Sequence, residues 1–258
     1  MANKWKEAAV IVKQERLATD IYSLWFQADS IAKAAMPGQF VSLYCKEGSR
    51  LLPRPISICE VDREKGRLRI VYRIAGAGTK EFASYSSGEV LEVMGPLGNG
   101  YTLKEKKAYL IGGGIGIPPL LELAKRLDGE KEIVLGYRSG EEMFLKEEFE
   151  PYGTVSIATE DGSAGVKGNV LDAIREKQLK AEIIYACGPT PMLRAIQSYA
   201  KEQEIEAQIS LEEKMACGIG ACLACVCQSK EVDEHSNVHN KRICKDGPVF
   251  YAEEVEFQ

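Results

Sequence analysis

The chain is poor in histidine and in tryptophan, with two of each. No apolar run reaches membrane-spanning length, and the start, MANKWKEAAVIVKQERL, lacks the apolar core of a secretion signal. Lysine and arginine form no block; the formal net charge is -5, with acids and bases interspersed. Each shortage excludes something. Without a basic patch there is no footprint for nucleic acid or an anionic membrane surface. Without a long apolar segment or a signal, the chain is expected to remain in the cytoplasm. With so few histidines and no acid–base constellation, no site for chemistry on an organic substrate is evident. There is no internal repeat and no low-complexity segment.

What is present is an ordinary globular composition and a surplus of cysteine. The 258 residues are 45% hydrophobic and 28% charged, enough for roughly two or three small domains with a sizeable core. Four of the eight cysteines crowd into Cys217–Cys227. In a secreted chain eight cysteines would suggest disulfides, but the length and the missing signal argue against that. Such crowding suits a metal centre in a reducing compartment.

Cys217, Cys222 and Cys225 stand as C-x4-C-x2-C, with Cys244 further on. This is the plant-type ferredoxin arrangement, in which four thiolates hold a [2Fe–2S] cluster that carries one electron at a time. Gly218, Gly220 and Ala221 leave little bulk between the first two ligands, so the chain can wrap closely with its N–H groups facing the sulfurs. Structural zinc favours paired C-x2-C knuckles, which the longer step from Cys217 to Cys222 does not fit. Zinc and free thiols remain the alternatives at this point. His235 and His239 could replace ligands as in a Rieske centre, but they lie in a polar stretch, Asp233–Lys241, that reads as a solvated loop. Cys227 is expected to pack nearby rather than ligate. Cys45 and Cys59 fall on predicted strands and read as core residues.

The first hundred residues read as β structure. Short β-rich runs recur at Ala8–Val12, Ile21–Phe26, Gln39–Tyr44, Ile56–Cys59, Leu68–Tyr72 and Val90–Met94, punctuated by turn signals. Closely spaced antiparallel strands of this kind close into a small barrel or sandwich. The Gly95–Gly100 stretch, GPLGNG, makes a dense break. From Ala108 strands alternate with helices: Ala108–Ile111, then Leu120–Leu127 at helical spacing, Ile133–Tyr137, a helix at Glu141–Phe149, and the same alternation through Val155–Thr159, Val170–Gln178, Ile183–Ala186 and Thr190–Glu202. That rhythm means a parallel sheet covered on both faces. It stops after about Ser210. The expected units are an antiparallel β-barrel over residues 1–100, an α/β domain over 101–210 and a small cluster domain over 211–258.

Three further segments carry chemistry. The glycine run Ile111–Pro119 joins a strand to a helix, where free N–H groups and the helix dipole favour a phosphate. It reads G-x-G-x-x-P from Gly114, and a tight β–α turn without a ligand is the bland alternative. Tyr185–Met192, containing Cys187-Gly188-Pro189, is a second strand-to-helix link on the same sheet edge. In the β-rich half, Arg54-Pro55-Ile56-Ser57 offers a donor fork suited to a diphosphate. Gly76–Thr79 could offer backbone N–H groups to the same phosphates. A surface arginine and a hairpin turn would explain the same residues.

In this order the segments resemble the ferredoxin–NADP reductase superfamily, a flavin-binding barrel followed by a pyridine-nucleotide domain. Arg54–Ser57 matches its R-x-[YF]-[ST] flavin motif, with isoleucine where an aromatic is common; Tyr72, in Val71-Tyr72-Arg73, is the candidate replacement partner for the flavin ring. The C-terminal stretch Glu212–Cys227 and the run Ile243–Phe250 resemble more narrowly the electron-transfer subunits of NAD-dependent, class 1B dihydroorotate dehydrogenases. The resemblance implies FAD held by Arg54, Pro55, Ile56, Ser57, Val71, Tyr72, Arg73, Gly78 and Thr79. It implies NAD at Gly113, Gly114, Gly116, Cys187, Gly188 and Pro189, and a [2Fe–2S] cluster on Cys217, Cys222, Cys225 and Cys244. It also implies a catalytic partner carrying FMN that oxidises dihydroorotate to orotate in pyrimidine synthesis, in a heterotetramer with two copies of each chain. NAD rather than NADP comes from the resemblance: Glu160 and Asp161 would disfavour a 2′-phosphate, whereas Arg138 could receive one. The chemistry agrees, since hydride transfer to NAD moves two electrons, an iron–sulfur centre passes one, and a flavin does both. The competing readings are the small flavin subunit of a transhydrogenase- or sulfide-dehydrogenase-like complex, and a zinc-stabilised nucleotide-binding regulator.

Overall fold

The computed structural model describes residues 4–230, 232 and 238–257. His235, and residues 233–237 of the stretch read as a solvated loop, lie outside the described residues. The N-terminal half is a closed barrel of β1 (Trp5–Ala18), β2 (Ile21–Gln27), β3 (Phe40–Leu43), β4 (Arg54–Asp62), β5 (Arg67–Arg73) and β6 (Val90–Leu97), in the order β1-β2-β5-β4-β3-β6. Two short helices, α1 (Asp29–Ala34) and α2 (Ala77–Phe82), interrupt it. Neither is expected from the sequence, because one and a half turns leave no readable periodicity. β1 closes the barrel by serving two neighbours: Trp5–Val10 pairs with β6 and Val10–Ala18 with β2, with register shifts that let it bend. The apparent break Gly95–Gly100 is partly strand, since β6 runs to Leu97 and pairs Gly95 with Trp5.

The second half is a seven-stranded sheet ordered β10-β9-β8-β7-β11-β12-β15. Its strands are β7 (Ala108–Gly113), β8 (Lys131–Tyr137), β9 (Thr154–Thr159), β10 (Val166–Lys167), β11 (Ile183–Cys187), β12 (Glu206–Ser210) and β15 (Val249–Tyr251). All pairings are parallel except that of β15 with β12. Strands such as Ile183–Cys187 read as unbroken apolar runs because both faces are covered. The covering helices are α3 (Pro119–Arg126), α4 (Lys146–Phe149), α5 (Val170–Glu176) and α6 (Thr190–Glu202). Asn169 caps α5: its side chain accepts from the Leu171 and Asp172 amides, and Asp172 accepts from the Asn169 amide.

The helix expected over Glu141–Phe149 is broken. A single 3-10 turn at Gly140–Glu142 and the four-residue α4 flank Leu145, whose φ of 64° is left-handed. The break buries Phe144 and Leu145; Phe144 meets Tyr137 edge-on at 5.8 Å, and Tyr137 Oη donates to the Phe144 carbonyl at 2.7 Å. Packing overrides propensity here.

After Ser210 the chain does not stand apart. β13 (Val226–Gln228) and β14 (Asn240–Arg242) form a small hairpin, so Asn240 and Lys241 are strand rather than loop. β15 then returns to extend the nucleotide-domain sheet, and Ile243, Cys244, Phe250, Ala252 and Val255 join the core on the α5 and α6 face. On the other face, Ile21, Cys59 and Val71 from the barrel wall pack with Ile117 and Leu121. Charges reinforce that seam. Arg69, 5% exposed in β5, is bonded by Ser23, Glu60 and Glu148, while Glu122, 2% exposed in α3, accepts from the Val61 amide and Arg63 at 3.0 Å each.

Candidate functional site

The cysteine loop is shaped by left-handed residues, Gly218 (φ 68°), Gly220 (φ 89°) and Leu223 (φ 56°). It folds back so that the Ile219 and Ala221 amides donate to Cys217 Sγ at 3.5 and 3.3 Å. The free Cys217 and Cys222 thiols lie within hydrogen-bonding reach of each other, as do those of Cys225 and Cys244, and Cys244 feels the charge of Cys217. The four sequence-predicted ligands are therefore brought together, two and two. Among the described residues no three or more His, Cys, Asp or Glu side chains converge as ligands of one metal ion. A paired arrangement fits a two-iron cluster, with two thiolates per iron, better than one tetrahedral ion. Burial pushes the Cys217 thiol up, but the amides of Ile219, Cys222 and Ala221 and the Cys222 thiol bring it down to about 6. Burial lifts Cys244 to about 12, and Cys225 and Cys217 push the same way. Cys227 stands outside the group: its thiol donates to the Lys241 carbonyl at 3.5 Å, and burial raises it to about 11.

The loop leans on the barrel. A Cβ at Gly218 would stand 2.9 Å from Ser42 Oγ, and Ser42, 1% exposed, pairs directly with Pro55 across β3 and β4. Ser42 was not expected from the sequence; its only signal is a small hydroxyl inside the apolar run Phe40–Leu43. Beside it, Arg54, Pro55, Ile56 and Ser57 are each half-buried, an open ledge where a barrel strand would otherwise alternate. Arg54 makes no ion pair with the described residues, and its guanidinium lies against Gly78, where a Cβ would stand 2.8 Å from Cζ. Thr79 Oγ1 accepts from the Ala75 and Gly76 amides at 2.9 and 3.2 Å, fixing the start of α2. A strand arginine without a carboxylate, facing a glycine at the start of a helix, fits a diphosphate. Val71 is buried in the domain seam, and Arg73 reaches Glu142 at 3.9 Å.

Tyr72 requires a correction. Its ring is 1% exposed inside the barrel, stacked on Tyr22 at 6.0 Å and edge-on to Phe82 at 6.2 Å, with its hydroxyl donating to Gln14 Oε1 at 3.2 Å. It cannot serve as an aromatic partner for a flavin ring on the ledge.

In the α/β half, strand order reverses between β7 and β11: the chain moves outward through β8, β9 and β10 on one side and through β12 on the other. Ligands of open α/β sheets bind in the crevice at such a point, beyond the carboxyl ends of the strands. Gly112 pairs with Cys187 in register, so the two predicted loops emerge side by side. They touch backbone to backbone, since a Cβ at Gly116 would stand 2.5 Å from the Cys187 carbonyl oxygen and 2.6 Å from Gly188 Cα. Met192 fills the gap between Gly113 and Gly188, with its Sδ 2.6 Å and 3.1 Å from where their Cβ atoms would be. Burial pushes the Cys187 thiol up to about 12. Prolines at 118 and 119 supply no N–H at the α3 start, which leaves Gly114, Ile115 and Gly116 to offer amides.

Known proteins with these features narrow the reading. An oxidoreductase FAD-binding domain model matches residues 8–101, and an oxidoreductase NAD-binding domain model matches 110–198. The iron–sulfur cluster binding domain of dihydroorotate dehydrogenase B matches 212–256. Two relatives are named dihydroorotate dehydrogenase B (NAD(+)), electron transfer subunit. One from Caldanaerobacter subterraneus subsp. tengcongensis is 43% identical over 98% of this chain and 100% of its own. One from Bacillus cereus is 45% identical, over 97% of this chain and 98% of its own. The chain belongs to that family.

As a member of the dihydroorotate dehydrogenase B electron-transfer family it is an oxidoreductase subunit with FAD-, NAD- and iron–sulfur-binding domains in that order. The expected architecture of barrel, parallel sheet and C-terminal iron–sulfur segment holds. A chain from an NADH-dependent reduced ferredoxin–NADP oxidoreductase, solved in a study of flavin-based electron bifurcation, superposes with a TM-score of 0.87. It is 32% identical, over 97% of this chain and 90% of that one. A ferredoxin reductase of carbazole 1,9a-dioxygenase shares the fold alone, at 19% identity and a TM-score of 0.67 over 78% of this chain and 67% of that one.

Proposed function

We propose that this subunit carries electrons between the FMN of a catalytic partner, where dihydroorotate is oxidised to orotate, and NAD+. In this reading a [2Fe–2S] cluster sits on Cys217, Cys222, Cys225 and Cys244, and the complex is a cytoplasmic heterotetramer with two copies of each chain. The observation that carries it is the contact of the cysteine loop, through Gly218, with Ser42 on β3, the strand paired with the one that presents Arg54–Ser57. A bound flavin exchanges electron pairs with nicotinamide and single electrons with an iron–sulfur centre, so one chain serves both kinds of carrier.

The protein's share is positioning. Arg54 neutralises the FAD diphosphate, and the half-buried Pro55, Ile56 and Ser57 form its seat with the Val71–Arg73 backbone. Gly113, Gly114 and Gly116 with Cys187, Gly188 and Pro189 line the crevice that receives the nicotinamide nucleotide. Amides at Ile219 and Ala221 stabilise negative charge on Cys217. Among the described residues no helix is long and apolar enough to cross a membrane.

The test is spectroscopic and kinetic. Anaerobically purified protein should show flavin and iron–sulfur bands; zinc in place of iron sinks the proposal. Cys222→Ala should lose the cluster and partner-coupled turnover while NADH-dependent dye reduction through FAD survives, and Cys227→Ala should keep both. Equal loss in Cys227→Ala would mean the ligand set is wrong. Likeness to the bifurcating oxidoreductase at 32% identity favours a second reading, a subunit of a transhydrogenase-type complex. Dihydroorotate-dependent NAD+ reduction with the FMN-bearing partner decides between them.

A further inference from the structure

One residue that no ligand argument requires meets the Cys217–Cys222 loop and the Cys244 turn through its side chain and the Cys225 segment through its backbone. Arg242 closes β14 and is 11% exposed. Its Nε and one terminal nitrogen donate to the Asp246 carboxylate at 3.0 and 3.4 Å, and its backbone amide donates to the same group at 2.8 Å. The other terminal nitrogen donates to the Gly220 carbonyl at 3.4 Å, inside the Cys217–Cys222 loop. The Arg242 carbonyl accepts from the amides of Lys245, Asp246 and Gly247 at 3.0, 2.7 and 3.3 Å, closing the turn that carries Cys244. Arg242 pairs with Val226 across the hairpin, and the next residue, Ile243, donates to the Cys225 carbonyl at 2.9 Å.

A largely buried ion pair is weak evidence for stability, because desolvation cancels much of its attraction. Its placement points instead to the group between the cysteines. A cluster on four thiolates is anionic and gains a further negative charge on reduction, so nearby fixed charges set its potential. We infer that Arg242 and Asp246 act as a positioning pair that holds the three ligand segments in register and tunes the cluster's reduction potential. This rests on the cluster reading above. Two other charges among the described residues stay in every variant considered: Lys245, whose stem packs on Gly220, and Lys241, paired with Glu254 at 3.0 Å.

The signs separate tuning from a merely structural role. Arg242→Gln leaves the Asp246 carboxylate without its cationic partner and should shift the midpoint potential down. Asp246→Asn leaves the guanidinium and should shift it up, and the double variant should fall between the two. Arg242→Lys keeps the charge but loses the fork, so the potential should stay near that of the parent protein while iron per chain falls. The experiment is potentiometric titration of the full chain followed by electron paramagnetic resonance, with iron and sulfide counted on the same samples. Single variants that shift the potential the same way, or an unshifted Asp246→Asn, overturn the inference. Arg242→Gln that assembles no cluster supports the positioning half, and Asp246→Asn then decides the tuning half. Absence of an iron–sulfur signal from the parent protein would instead overturn the cluster reading itself.

Discussion

At Gly116 the missing side chain is what lets the two loops of the proposed nicotinamide site meet. A Cβ there would press on the Cys187 carbonyl, 2.5 Å from its oxygen and 2.6 Å from its carbon, and those are backbone atoms of a sheet strand that cannot step aside. Gly116→Ala should destabilise the fold by about 1–3 kcal/mol, the usual cost of overpacking. It should also open the crevice, raising KM for NADH at least tenfold (about 1.4 kcal/mol of binding) while flavin content is kept. Steady-state kinetics with a dye acceptor and a thermal melt check this; an unchanged KM would mean that the loop contact does not shape the nucleotide site. Legibility at this scale follows locality. The cysteine spacing was readable because it is a local pattern among neighbours along the chain. The face taken by Tyr72 was not, because it depends on which residue of β2 lies opposite, and that residue is Tyr22.

Among the elements, α2 is the one whose role least resembles its sequence. Six residues long, it is braced from the Lys46–Arg50 loop by Glu81, whose carboxylate accepts from the Lys46 amide at 2.6 Å and from Arg50 and Tyr85. The bracing fixes Gly78 against Arg54 and so shapes the proposed diphosphate seat. Burial pushes the Glu81 carboxyl up, but Tyr85, the Lys46 amide and Arg50 outweigh it and hold the group below its ordinary value. A carboxyl whose pKa is lowered by folding adds stability above its unfolded value and loses it as pH falls through the folded one. Glu81→Gln should therefore cost about 1–3 kcal/mol at neutral pH. The gap from the parent protein should close below about pH 4, the ordinary carboxylate range. Denaturant melts at the two pH values measure it; a gap that ignores pH would mean the charge is not what braces α2. The barrel strands were legible from alternating patterns and turn residues. The break at Leu145 was not, since it is set by Phe144 docking on Tyr137 rather than by any local signal.

For the molecule as a whole, the motifs gave the order of sites but not how the parts depend on one another. Nothing after Ser210 reads as sheet, because β15 is only three residues long, yet it covers the open edge of β12. The link after the barrel is tied to the same tail: the Asn99 amide donates to the Gly247 carbonyl at 2.6 Å, and its side chain donates to the carbonyls of Lys245 and Asp246 at 3.2 and 3.0 Å. Ile243, Phe250 and Val255 are 2%, 4% and 2% exposed in the core shared with α5 and α6. At about 1.5–3 kcal/mol for each buried side chain, those three alone contribute on the order of 6 kcal/mol. That is comparable to the whole stability of a typical domain, about 5–15 kcal/mol. A chain ending at Ser210 keeps every residue proposed to hold flavin and nucleotide, yet it should not accumulate as a stable module. Its melting transition should be lost or broad, with soluble yield falling and NADH-dependent dye reduction falling with it. Full-length Cys222→Ala is the matched control, because it removes a proposed cluster ligand while leaving the tail in place. If the truncated chain melts and turns over NADH as that variant does, the tail is a separable electron carrier. If only Cys222→Ala retains activity, the iron–sulfur segment is a structural part of the reductase whose electrons it relays.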